Sequence, residues 1–162
     1  MTRSTPPTGR TYAAHMAQLH SFVTAIDHVG VAVPDFDAAV EFYRTFGLEL
    51  VHEEVNEEQG VREGMLRAPG DSGTGAAVQL LAPLGPTSTI AKFLGRNGPG
   101  LQQLAYRVTD IEAATQALRA TGMRLLYETA HRGTAGSKIN FVHPKDAGGV
   151  LIELVEPAAA DH

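Results

Sequence analysis

The sequence predicts an α+β fold in which two tandem βαβββ modules form a half-open barrel around a metal cleft. Three observations carry that expectation. Residues 26–50 and 101–125 are two copies of one unit at a constant offset of 75: Asp35 falls on Asp110, Ala38 and Ala39 on Ala113 and Ala114, Arg44 on Arg119, and Gly47 on Gly122. A second match, at an offset of 74, lays QLLAP (79–83) over ELVEP (153–157). Each copy also continues in the same way, as a strand, a helix and three extended stretches.

The elements follow in order. In IDHVGVAV (26–33), Val29, Val31 and Val33 share one face, suited to packing on a helix, while His28, Gly30 and Ala32 share the other. The second face pairs one imidazole with two nearly absent side chains, so it reads as the lining of a cleft with open volume. Asp35 caps a helix whose apolar residues Phe36, Ala39, Val40 and Tyr43 keep helical spacing, and Gly47 supplies the left-handed stop. The second copy repeats this with Asp110 as cap, Ile111, Ala114, Thr115 and Leu118 as stripe, and Gly122 as stop. The extended stretches are LELVHEEV, VREGMLRA and AAVQLLAP in the first half, and RLLYET, KINFVHP and GVLIELVEP in the second. Between the halves, GPTSTIAKFLGRNGPG (85–100) predicts a short helix over Thr87–Leu94 and a Gly/Pro linker. The expected organisation is a disordered leader over 1–23, one domain over 24–157 and a tail over 158–162. Within the domain, module one spans 24–84, the linker 85–100 and module two 101–157.

Composition narrows the function. At 162 residues the chain is one domain's worth of protein, and a two-copy unit means the halves share a core. Eighteen acidic against 13 basic residues give a formal charge of −5, which argues against a nucleic-acid partner. Without cysteine there is no thiolate nucleophile, disulfide or zinc–thiolate site, so a bound metal would be held by nitrogen and oxygen. No apolar run approaches the ~20 residues of a bilayer span, so no membrane partner is expected. The absence of cysteine fits a reducing compartment, and a cytoplasmic location is expected.

The repeat assembles the candidate site. It puts His28 and Gln103 at equivalent positions, and Gln79 and Glu153 at a second equivalent pair, all near strand centres where a polar group needs a partner. Glu153 interrupts the apolar strand GVLIELV, where a carboxylate is costly unless a cation or a proton neutralises it. Glu63, with Val61 and Met65 on its face, would have its pKa raised toward the range of a general base.

These features resemble the methylmalonyl-CoA epimerase family of the vicinal oxygen chelate (glyoxalase/bleomycin resistance/dioxygenase) superfamily. The likeness covers residues 24–157 and rests on IDHVGVAVPD, NEEQGVREGML (56–66), VQLLAPL (78–84), STIAKFL (88–94), GSKINFVHPKDAGGVLIEL (136–154) and the repeat. It implies an isomerase that interconverts 2R and 2S methylmalonyl-CoA through an enolate chelated on a divalent metal ion. Cobalt is expected, with magnesium, manganese, nickel or zinc as alternatives. His28, Gln79 and Glu153 match three of the four metal-binding positions, and Glu63 matches the base on one face of the substrate. The second proton transfer falls to Glu153. Where the family has a His-His pair this chain has Gln102-Gln103, so the fourth ligand is Gln103. An amide oxygen there is a harder, weaker donor than imidazole, which predicts lower affinity and a shift toward magnesium or manganese. The resemblance also implies an acyl-CoA substrate and a homodimer. The alternatives are an enzyme of the same superfamily acting on another acyl-CoA or 2-carboxy acid, and a metal-free small-molecule binding or resistance protein.

Overall fold

The computed structural model describes residues 22–159. The expected leader lies outside them except for Phe22 and Val23, which already belong to the fold. Strand β1 starts at Val23, and Phe22 packs beside the Val108–Ile111–Leu154 cluster.

Among the described residues eight strands form one curled sheet in the order β2-β3-β4-β1-β5-β8-β7-β6. In chain order these are β1 (Val23–Ala32), β2 (Glu49–Asn56), β3 (Val61–Arg67), β4 (Ala77–Pro83), β5 (Gly100–Val108), β6 (His131–Arg132), β7 (Lys138–Val142) and β8 (Ile152–Glu156). The two halves mirror each other about the antiparallel β1–β5 seam, and each first strand takes a parallel partner, β4 for β1 and β8 for β5. This is the α+β half-barrel that the repeat predicts.

The α1 helix (Phe36–Arg44) and the α3 helix (Ile111–Ala120) pack on the outer face of their own modules. Asp35 accepts from Ala38 N and Asp110 from Ala113 N, each at 3.0 Å, and Gly47 and Gly122 close the ends at φ +80° and +91°. Phe36 and Val40 of α1 pack on Val33, Leu66, Leu80 and Ala82, with Val31 at the edge. Gly64 lets Phe36 approach, since a Cβ there would stand 2.6 Å from the phenyl ring. The α2 helix (Thr89–Asn97), capped by Ser88, is the expected inter-module helix, starting two residues later and ending three residues later than predicted. It sits on the inner side, where Ile90 packs with Ala32, Val61 and Leu81.

Two expectations need correction. The predicted strand RLLYET (124–129) is reduced to a single bridge from Leu125 to Val142, and the edge of the sheet passes to His131–Arg132. Side chains take over the ladder there: Asn140 accepts from Tyr127 N and donates to Tyr127 O, while Arg119 donates to Tyr127 O and Glu128 O. The face of Gly30 and Ala32 is also not open. Ala32 is covered by α2, and the space before Gly30 holds the side chain of Gln103.

Candidate active site

Strand alternation and register bring the predicted residues to the inner face. Gly30 is flanked by Gln79 on β4 and Gln103 on β5, His28 by Ala77 and Ala105, and Glu153 by Ala105. Each large polar side chain thus has a small residue beside it, which gives it room to lean inward. A Cβ on Gly30 would come within 2.4 Å of Gln103 Cγ, so glycine is required for that approach.

His28, Gln79, Gln103 and Glu153 converge, and all four are buried. His28 Nε2 lies 3.0 Å from Glu153 Oε2. Gln103 Nε2 donates to Gln79 Oε1 at 3.0 Å and to Glu153 Oε2, and lies 3.2 Å from His28 Nε2. Gln79 Nε2 in turn reaches Glu63 Oε2 at 3.3 Å. Glu63 is 4% exposed on β3, with its Oε1 accepting from Thr134 Oγ1 at 2.7 Å. The five predicted residues form one connected group.

Burial pushes the Glu63 carboxyl up to about 7, and the charges of Glu54 and Glu153 add to this while the Thr134 hydrogen bond opposes it. For His28, burial alone would lower the pKa, but Asp27 and Glu153 on its two ring nitrogens outweigh it and raise it to about 9. The site therefore gathers positive charge at the centre of the four side chains.

That preference and the donor set fit a divalent cation. One imidazole nitrogen, one carboxylate and two amides face a common point, and turning the Gln103 amide over exchanges its nitrogen for an oxygen. Asp27 holds His28 Nδ1 at 2.8 Å, the arrangement that fixes a ligating histidine with its other nitrogen free. Among the described residues no three His, Cys, Asp or Glu side chains gather for a metal, and amides make up half of this set.

Two cavities meet at the cluster. One, of about 150 Å³, is lined by Glu63, Gln79, Gln103 and Glu153 together with Tyr127 and Leu151. The other, of about 380 Å³, is lined by Asp27, His28, His52, Arg67 and Arg107. Thr134 and Glu153 face both.

The model of the Glyoxalase/Bleomycin resistance protein/Dioxygenase superfamily matches residues 27–141. The ethylmalonyl-CoA/methylmalonyl-CoA epimerase of Cereibacter sphaeroides is 37% identical over 132 residues, which cover 80% of this chain and 95% of that one. The chain belongs to the methylmalonyl-CoA epimerase family of that superfamily. The mitochondrial methylmalonyl-CoA epimerase of Homo sapiens is 37% identical over 80% of this chain and 72% of that protein. The crystal structure of methylmalonyl-CoA epimerase from Mycobacterium tuberculosis superposes with a TM-score of 0.81 at 60% identity, covering 86% of this chain and 91% of that one. A methylmalonyl-CoA epimerase in complex with methylmalonyl-CoA and NH4+ gives 0.81 at 48% identity, covering 86% and 98%.

Beyond the residues that link the chain to the epimerase family, the structure adds three that sequence reasoning missed. Thr134 bridges Glu63 and Gln79, donating to the first and accepting from the second at 2.9 Å. It lies in a Gly-flanked turn, and nothing local marks its hydroxyl as aimed 71 residues back. Asp27 would by strict alternation point away from His28. A register irregularity between Ile26 and His28 brings it round, and Arg107 Nε donates to its other oxygen at 2.9 Å. Glu54 stands directly opposite Glu63 in the β2–β3 ladder, a pairing visible only once the register is known.

Proposed function

We propose that the chain interconverts the 2R and 2S forms of methylmalonyl-CoA by removing and returning the proton alpha to the thioester. The observation that carries this reading is the placement of Glu63 and Glu153, both buried, on the walls of one cavity with the amides of Gln79 and Gln103 linking them. Inversion needs a base on one face and an acid on the other. Glu63 takes the proton, its carboxylate held in orientation by Thr134 on Oε1 and Gln79 on Oε2. Glu153 serves the opposite face. A divalent cation held by His28 Nε2, the Gln79 and Gln103 amide oxygens and Glu153 would supply positive charge against the enolate oxygen. The apolar walls from Leu81, Ile90 and Phe141 exclude water from a carbanion that would otherwise be quenched.

Cobalt is the ion the family resemblance implies, and Gln103 shifts the balance toward harder ions. The proposal extends to a cytoplasmic homodimer. Val51 and Val55, exposed on the edge strand β2, support pairing, and light scattering would test it. Among the described residues no helix is long and apolar enough to cross a membrane.

Deuterium incorporation into methylmalonyl-CoA in D2O, by chelator-treated protein with and without cobalt or magnesium, tests the reading. Exchange at the alpha carbon is expected to depend on the added ion and, for the epimer whose alpha proton faces Glu63, to be lost in Glu63→Gln. Wild-type exchange in that variant would refute the base role.

A further inference from the structure

The reaction leaves a problem that Glu63 and Glu153 cannot solve by themselves. Each turnover in one direction ends with the proton on Glu63 and none on the opposite acid, so the enzyme must lose one proton and regain another before it can repeat the same conversion. Glu63 is 4% exposed and faces the cavity assigned to substrate. Its proton needs a way out.

We infer that Glu54 and His52 form a proton exit from Glu63 to bulk solvent, on the side away from the substrate cavity. Glu54 and Glu63 are direct cross-strand partners, so their side chains stand side by side on the same face. Glu54 Oε1 is buried with no hydrogen-bond partner, Arg132 Nη1 being 3.7 Å away, and a protonated Glu63 provides the missing donor. Glu54 Oε2 is 2.6 Å from His52 Nε2 and accepts from Ala135 N at 3.0 Å. His52 has 37% of its side chain exposed and lines the second cavity. The turn carrying Ala135 is built for this contact: Ala135 is the one non-glycine residue at positive φ among the described residues (+54°), and its neighbour Thr134 holds Glu63.

The transfers balance. Glu63 gives its proton to Glu54 Oε1 and returns to carboxylate. A half-turn of the Glu54 carboxyl presents the proton to His52 Nε2, the resulting imidazolium releases its Nδ1 proton to water, and tautomer exchange of the exposed ring through solvent moves the remaining proton to Nδ1 and leaves Nε2 bare for the next cycle. The same path run backwards supplies Glu63 when flux reverses.

This inference rests on Glu63 as the base, and the experiment separates the two. In His52→Ala, resetting the free enzyme becomes slow while the encounter with substrate is untouched. The expected result is a roughly tenfold fall in kcat with an equal fall in KM, kcat/KM unchanged, and recovery of kcat by added imidazole. In D2O, the same variant is expected to put less solvent deuterium into unconverted substrate per product formed, because the proton on Glu63 returns before it exchanges. A parallel loss of kcat/KM without imidazole rescue would mean that His52 merely supports the strand, and unchanged kcat and isotope partition would mean that the proton leaves elsewhere. Either would overturn the relay. Failure of the base assignment shows separately, as both epimers keeping wild-type alpha-proton exchange in Glu63→Gln.

Discussion

Gly30 and Gln103 are one design feature divided between two strands. The missing side chain on β1 is the space that the glutamine occupies, with only 2.4 Å left for a Cβ. Gly30→Ala is therefore expected to destabilise the protein by about 1–3 kcal/mol and to displace Gln103 from the cluster. Chemical denaturation measures the first effect, and metal retention against a competing chelator the second. An alanine variant that is as stable and as metal-retentive as wild type would show that the neighbouring strands yield freely. Gln103→His acts in the opposite sense, replacing an amide with an imidazole nitrogen. Cobalt and zinc are expected to bind at least tenfold more tightly and magnesium to gain nothing, following the donor preferences of these ions. Calorimetric titration of both proteins would reveal it.

The repeated helices owe their ends to the same chemistry. Asp35→Ala and Asp110→Ala should each cost about 1 kcal/mol, because each carboxylate satisfies an otherwise unpaired N–H in the first turn. Equal costs would reflect equal caps, and denaturant titration can compare them. Between α3 and β8, Arg124 grips the turn over Pro144–Asp146 through its backbone N–H and guanidinium, and these bonds hold the Asp146 carboxyl well below its ordinary 3.8. A depressed folded-state value means that this stabilisation is complete above the ordinary carboxylate range and disappears as pH falls below it. Asp146→Asn should thus lose stability near neutral pH while showing a shallower decline on acidification, as thermal melts across that range would detect. The same stretch shows where element prediction failed. RLLYET has the composition of a strand, but Asn140 and Arg119 claim the backbone groups of residues 127–128 from 13 and 8 or 9 positions away. Local pattern carries no trace of such competition.

For the whole molecule, stability should be linked to the cation. A ligand that binds only the folded state stabilises it by about 2.7 kcal/mol at a hundredfold excess over Kd, and the four groups that would hold it come from both modules. Chelation is accordingly expected to lower Tm and a suitable divalent ion to restore it. A melting temperature indifferent to every ion tried would count against a metal at the seam. The sequence by itself determined the duplicated architecture, the caps of the two repeated helices and the inward face of each central strand, because a period of two and a capping residue are local facts repeated at a fixed offset. It also brought forward His28, Gln79, Gln103 and Glu153, since the duplication made them two equivalent pairs. Only the tertiary structure decided which polar groups meet: that Asp27 turns toward His28, that Thr134 closes on Glu63, that Glu54 stands opposite Glu63 across the ladder, and that Gln103 fills the gap at Gly30. Those contacts depend on register, a bulge and the curl of the sheet. These join residues up to 125 positions apart through side-chain geometry, which no local spacing in the chain expresses.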